Sequence, residues 1–439
     1  MNELQLSLSL NKDRILKKSI DEQVKGRIQI LAGEKKDRKK REKINLVFLL
    51  DSSGSMRDPF YNSGNSKSKT VIDAVSSLLS YIQSTDTISI ISFNSQAIVR
   101  ADHLPGNATS AITQALVEYR KDNGATNFEA AMQMAKSVCN SRANENHKLI
   151  FLTDGNAYGG NSANALSICS DMAKQGITTD SMGIGEEFNY NFMKQFTDYS
   201  GSLTENLTDP AQASTVFLNI YKSSSNVFLK KVFINLHFFK EIRDVHFFMH
   251  LPSQKNFDKF VQRNNNGTVV QVSVGDIEQQ GFVEFLFDFT MDAPDTHSLQ
   301  IGEAQIVYSC PSQNIDNESV TQAIFVNFSD SASDLIISSS IDIAYKDIEI
   351  LIHETELNKL VNEKNFTQAA ARLESMANLA EQIGDNEKAN EFRKLKNKIV
   401  RDNALSMEDI NKISYSSTKS SVRSAFKSTT SQKNKQVII

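Results

Sequence analysis

The stretch Ile44-Asn45-Leu46-Val47-Phe48-Leu49-Leu50-Asp51-Ser52-Ser53-Gly54-Ser55 decides how the rest of the chain is read. Its first seven residues form a short apolar run, the pattern of a strand covered on both faces. The run stops at a carboxylate. The next residues are small and mostly hydroxylated, with Gly54 permitting a tight turn. Apolar residues then recur at helical spacing at Val71, Ile72, Val75, Leu78, Leu79 and Ile82. A strand that ends in Asp51 and turns into a helix places the carboxylate beyond the carboxyl end of the strand. In an open α/β sheet, that crevice is where ligands bind.

Working outward, Thr87–Phe93, Lys148–Leu152 and Ile177–Ile184 read as further strands. Helices are expected near Ala111–Tyr119, Phe128–Val138, Ala163–Lys174, Tyr190–Thr197 and Pro210–Tyr221. Strands alternating with helices predict an α/β, doubly wound, mostly parallel sheet over residues 43–222. After Tyr221 the helical spacing stops. Val227–Leu236, Asp244–Met249, Thr268–Val274, Gly281–Met291, Gln300–Tyr308 and Thr321–Phe328 read as strands of an all-β sandwich over 226–332. Two alternating segments near the N-terminus, Leu4–Leu10 and Val24–Ile30, would complete its strand count from residues 1–36. The α/β unit is then inserted into the sandwich, which the usual proximity of domain termini permits. The mixed-charge run Glu34–Lys43 reads as a solvated linker rather than a nucleic-acid patch. Residues 341–401 return to helical spacing, as a hairpin or small bundle, with no second copy at a fixed period. The Ser/Thr/Lys-rich segment 413–439 reads as a disordered tail with too few apolar residues to order itself.

Bulk properties narrow the function. The chain has 439 residues and a formal net charge of −4, so no global basic field argues for nucleic acid. The apolar run at Ile44–Leu50 is far shorter than the ~20 residues needed to span a bilayer, and no membrane is expected. The first residues lack a charged segment followed by a long apolar one, so no signal peptide is read and a cytoplasmic protein is expected. Cys139, Cys169 and Cys310 lack metal-type spacing and are expected to stay reduced.

Two more polar positions fall where Asp51 does. Thr126 lies in Gly124-Ala125-Thr126-Asn127, just before a helix, and Asp154 lies in Leu152-Thr153-Asp154-Gly155, directly after a buried strand. Three loops therefore present two carboxylates and the hydroxyls of Ser53, Ser55 and Thr126 at one sheet edge. Donors that are all oxygen select hard cations, Mg2+ first, with Mn2+ or Ca2+ as alternatives. These five residues resemble the metal-ion-dependent adhesion site of the von Willebrand factor type A family, whose pattern is Asp-x-Ser-x-Ser, then a Thr, then an Asp. The resemblance covers roughly residues 43–222, and the flanking regions look like bacterial intracellular members. It implies that Ser53 and Ser55 ligate directly, Thr126 directly or through water, and Asp51 and Asp154 mainly through water. It implies a binding device that takes an Asp or Glu carboxylate of a partner protein. It also implies neighbours of the Ser/Thr kinase or AAA-type ATPase kind.

A Mg2+-dependent enzyme, or a scaffold whose metal site is vestigial, are the alternatives. The enzyme reading finds little support. Gly64-Asn65-Ser66-Lys67-Ser68-Lys69-Thr70 lacks the second Gly of a phosphate loop and does not directly follow a strand. No Gly-x-Ser-x-Gly elbow occurs. His246 and His250 lie in a strand-like run without the Glu of a zinc-protease helix, and read as polar residues of an edge strand. In the tail, Thr418, Ser420 and Ser424 interleave with Lys419, Arg423 and Lys427, as a phosphorylation segment would. A plain solubilising tail is the simpler reading.

Overall fold

The computed structural model describes residues 3–34, 42–60, 64–143, 145–155, 160–185 and 188–419. The chain opens with three strands, β1 (Leu4–Leu10), β2 (Arg14–Leu16) and β3 (Glu22–Ala32). It then enters the α/β unit. This comprises β4 (Ile44–Asp51), α1 (Lys67–Leu78), β5 (Thr87–Phe93), β6 (Ala97–Pro105), α2 (Thr109–Tyr119), α3 (Phe128–Asn140), β7 (Asn146–Thr153), α4 (Ser162–Lys174), β8 (Thr178–Ile184), α5 (Tyr190–Ser200), β9 (Thr204–Leu207) and α6 (Pro210–Ser225). Eight strands follow: β10 (Val227–Phe238), β11 (Arg243–Leu251), β12 (Lys255–Asn256), β13 (Val261–Asn264), β14 (Gly267–Glu278), β15 (Phe282–Met291), β16 (Ser298–Cys310) and β17 (Ile315–Ser329). Four helices close the described chain: α7 (Ser339–Asn362), α8 (Phe366–Gln382), α9 (Asn386–Asp402) and α10 (Met407–Thr418).

The α/β sheet runs in the order β6-β5-β4-β7-β8-β9, parallel throughout except for β6. Strand β4 sits at the centre, with β5 on one side and β7 on the other. Because successive side chains alternate between faces, its apolar run divides between two cores. Leu46, Phe48 and Leu50 pack with α1, α2 and α6, while Val47 and Leu49 pack with α3, α4 and α5. That is why the run has no alternation to read. The order reverses between β4 and β7, so the switch point of the doubly wound sheet lies at the ends of these two strands. Strands β6 and β9 are absent from the sequence reading. The first carries charged residues at Arg100 and Asp102, and the second is four residues long.

The N-terminal strands do join the sandwich. Its first sheet is β1-β3-β15-β11-β12, with β3 antiparallel to β15 from Glu22 to Leu31. Its second sheet is β13-β14-β10-β16-β17-β2. The alternation of β3 buries Val24, Ile28 and Ile30 between the sheets and turns Lys25, Arg27 and Gln29 outward. Helix α7 covers part of that outer face, setting Ile341, Ala344, Tyr345 and Ile348 against Phe248 and Leu286. Its later turns form a separate core with α8 and α9.

Two expectations are corrected. His250 is not a polar residue of an edge strand: β11 lies between β15 and β12, and His250 is buried between Glu284 and Asp347, with its ring nitrogens 2.7 and 3.3 Å from their carboxylates. His246 is exposed and bonds Asp258 at 3.0 Å. The disordered tail does not begin at residue 413. Ile413, Ser414, Ser417 and Thr418 are buried in α10, a helix opened by a capping box in which Ser406 and Asp409 satisfy each other's backbone N–H. The Ser414 and Thr418 hydroxyls find buried partners in Glu354 and Tyr190, which a count of apolar residues does not register. Ser420 and Ser424 lie outside the described residues, as does most of the Glu34–Lys43 run. Among the described residues, no helix is long and apolar enough to cross a membrane.

Candidate functional site

Parallel registry sets Leu50 beside Leu152, so β4 and β7 end side by side and release Asp51 and Thr153 at the switch point. Asp51 is fully buried. Its Oδ1 accepts from the Ser53 N–H at 2.8 Å, and its Oδ2 accepts from the Thr153 hydroxyl at 2.6 Å. Burial pushes the Asp51 carboxyl up to about 6. The Thr153 hydrogen bond pulls it back, and the Asp154 charge adds to the rise. From Asp51 a short 3-10 turn, Gly54–Arg57, carries Ser55 round. The Ser53 and Ser55 hydroxyls are 3.2 Å apart, and Ser55 donates to Asp154 Oδ1 at 2.8 Å. The remaining oxygen, Asp154 Oδ2, accepts from the Lys67 ammonium at 2.7 Å. Asp51, Ser53, Ser55 and Asp154 thus form one continuous oxygen cluster at the sheet edge.

Thr126 stands on the adjoining loop. It is buried, and its loop is pinned to the serine turn by the Gly54 N–H donating to the Gly124 carbonyl at 3.3 Å. Among the described residues its hydroxyl bonds none of the other four. The approach to this loop is fixed by charge: Arg100 grips both oxygens of Asp122, while Arg57 donates to the Lys121 and Asp122 carbonyls at 3.1 and 2.9 Å. Asn127 then caps α3 through the Ala130 N–H.

The donor set fits a small hard cation. Neighbouring oxygens of an octahedral Mg2+ at about 2.0–2.1 Å lie about 2.9 Å apart. The separations of 3.2 Å between Ser53 and Ser55 and 2.8 Å between Ser55 and Asp154 are of that size. Among the described residues no group of three or more His, Cys, Asp and Glu could hold a metal, so any metal here relies on the hydroxyls.

Four residues of the site escaped sequence reasoning. Tyr119 donates from its buried hydroxyl to the Asp51 carbonyl at 2.9 Å, and burial, with the charges of Asp51 and Asp154, holds its phenol well above its ordinary value. Ser52 donates to the Phe93 carbonyl at 2.9 Å and fastens the turn to β5. Thr153 holds Asp51, as described. Lys67 was read as part of a failed phosphate loop. No local signal marks it, since its partner, Asp154, lies 87 residues away in the chain. Thr418, by contrast, lies away from this edge in α10, buried and 2.9 Å from the Tyr190 hydroxyl.

A family profile described as the von Willebrand factor type A domain matches residues 46–156, which contain all five residues of the predicted set. An uncharacterised protein of Synechocystis sp. is 23% identical over 294 residues, 65% of this chain and 66% of that one. Inter-alpha-trypsin inhibitor heavy chain H2 of Mesocricetus auratus is 25% identical over 204 residues, 44% of this chain but only 21% of its own length. The chain therefore spans less than two thirds of these relatives. Solved structures share the fold more fully. A von Willebrand factor type A protein from Catenulispora acidiphila superposes with a TM-score of 0.77 at 16% identity, covering 94% of this chain and 96% of that one. The ArnB paralog VWA2 from Sulfolobus acidocaldarius gives 0.61 at 15% identity, covering 95% and 98%. Sandwich and helices thus belong to the shared architecture, and at its centre this chain carries a von Willebrand factor type A domain.

Proposed function

We propose that this chain is a non-enzymatic protein-interaction module whose metal-ion-dependent adhesion site takes an acidic residue of a partner protein through Mg2+. The observation that carries the reading is the oxygen cluster Asp51–Ser53–Ser55–Asp154 at the switch point, with Thr126 on the adjoining loop. Ser53, Ser55 and Thr126 would hold the ion by their hydroxyls, with Asp51 and Asp154 behind them. A bound Mg2+ supplies an open position of unneutralised charge that a carboxylate fills. Asp51 orients the Ser53 backbone, Thr153 orients Asp51, and Tyr119 fixes the end of β4. The site needs no nucleophile for this, and its two serine hydroxyls are already engaged with one another and with Asp154. The reading extends to an intracellular, cytoplasmic protein, for which the buried thiols of Cys139 and Cys169 are the support. Its partners would include an AAA-type ATPase or a Ser/Thr kinase.

Capture from lysate of the source cells tests the interaction. The wild-type chain retains a specific partner in Mg2+ and releases it in EDTA, and Asp51→Ala retains none. A partner held equally by both chains, with or without EDTA, would sink the reading.

A further inference from the structure

We infer that Lys67 is a built-in counter-ion of the metal site: it keeps the site assembled without a metal and competes with the incoming cation for Asp154. The inference rests on the metal-site reading above and adds a specificity-determining residue to it.

The position of Lys67 is costly on three counts. Its side chain is 11% exposed, and burying an ammonium costs several kcal/mol unless it is well paired. It opens α1 directly after the N-cap Ser66, where the helix end repels cations, and no acidic residue in the first turn offsets this. Its long stem is held in one place, which costs rotamer entropy. Among the described residues, the contact that offsets this is the 2.7 Å bond to Asp154 Oδ2.

The fold also makes room for it. Gly185, at the end of β8, has φ +96°, and a Cβ there would lie 3.0 Å from Lys67 Cε. The stem therefore runs through a trough bounded by bare backbone and delivers the ammonium to the carboxylate from the side opposite Ser55. Both oxygens of Asp154 are then engaged, one by Ser55 and one by Lys67. Asp154 is 1% exposed and would be a buried unpaired charge without Lys67 or a metal. A divalent ion arriving at Ser53 and Ser55 meets a carboxylate already neutralised and a like charge beside it. Occupancy becomes conditional on cation concentration, while the unoccupied site keeps its shape.

Titration calorimetry with Mg2+ alone, and with Mn2+ alone, tests this on the full chain. Lys67→Met removes the charge. Lys67→Gln removes it while keeping a donor for Asp154, and carries the comparison should Lys67→Met fold poorly. Both variants bind Mg2+ about tenfold tighter than wild type or better, as expected for removing a like charge a few ångströms from the ion in a partly buried site. Lys67→Arg, which retains the charge, keeps wild-type affinity. The same variants melt earlier than wild type in EDTA and are raised further by Mg2+, a pattern that a purely structural lysine does not produce. Equal affinity in wild type, Lys67→Met and Lys67→Gln overturns it and leaves the metal-site reading standing. No binding by any of the four chains at millimolar metal overturns both.

Discussion

Ending the chain after Lys412 rather than after Lys419 removes the second half of α10, and the structure sets the cost. Ile413 is 1% exposed, and losing its burial costs about 2 kcal/mol. Ser414 donates to the buried Glu354 at 2.6 Å, and leaving that carboxylate short of a donor costs about 1–3 kcal/mol. Thr418 partners the buried Tyr190 hydroxyl at 2.9 Å and accepts the Gln254 N–H through its carbonyl at 2.8 Å, for about 1 kcal/mol each. Tyr415 and Ser416 bond Glu205 and Glu391 nearer the surface and add little. The sum is about 5–7 kcal/mol, comparable to the whole stability of a modest domain. Denaturant unfolding of three chains checks it: the full chain, one ending at Lys419 and one ending at Lys412. The chain ending at Lys419 unfolds with the full chain, and the one ending at Lys412 unfolds at markedly lower denaturant. Coincident transitions for all three would refute the packing argument and restore a dispensable tail from residue 413.

Two further predictions concern the joints between units. His250 joins the sandwich to α7. Burial lowers its pKa, but hydrogen bonds to and the charges of Asp347 and Glu284 outweigh this and raise it above the ordinary 6.5. A raised histidine stabilises the fold fully below its unfolded value and loses that contribution as pH rises through the folded one. Wild type should therefore lose stability above pH 6.5 relative to His250→Gln, which is itself destabilised by about 3–5 kcal/mol for breaking a buried pair; parallel stability–pH curves would contradict this. Gly201 ends α5 at φ +69°, and a Cβ there would lie 2.1 Å from the Val274 carbonyl oxygen of β14. Gly201→Ala should cost about 3 kcal/mol or more, since neither backbone can give way cheaply; a melting point unchanged from wild type would show that it can.

The central sheet was legible because β4 is apolar on both faces and ends in Asp51, so fold and site announce themselves in one stretch. Thr126 and Asp154 were legible because each follows or precedes a regular element at the same sheet edge. Lys67 was not, since its meaning depends on a carboxylate 87 residues away in the chain. His250 looked like surface because its partners, Glu284 and Asp347, come from a neighbouring strand and from a helix of another unit. Residues 413–418 looked like tail because α10 is held by side-chain hydrogen bonds more than by apolar area. Strands β6 and β9 were missed for want of an apolar pattern. In each case the missing information was a long-range partner, which periodicity and composition do not carry.

The most direct test of the account is a calorimetric titration of Mg2+ into the wild-type chain and into Asp51→Ala, Ser53→Ala and Asp154→Ala, each checked for fold by circular dichroism. The account predicts one ion per wild-type chain and loss of that binding in all three folded variants. A wild-type chain that takes no ion at millimolar Mg2+, or variants that bind as well as wild type, would contradict it.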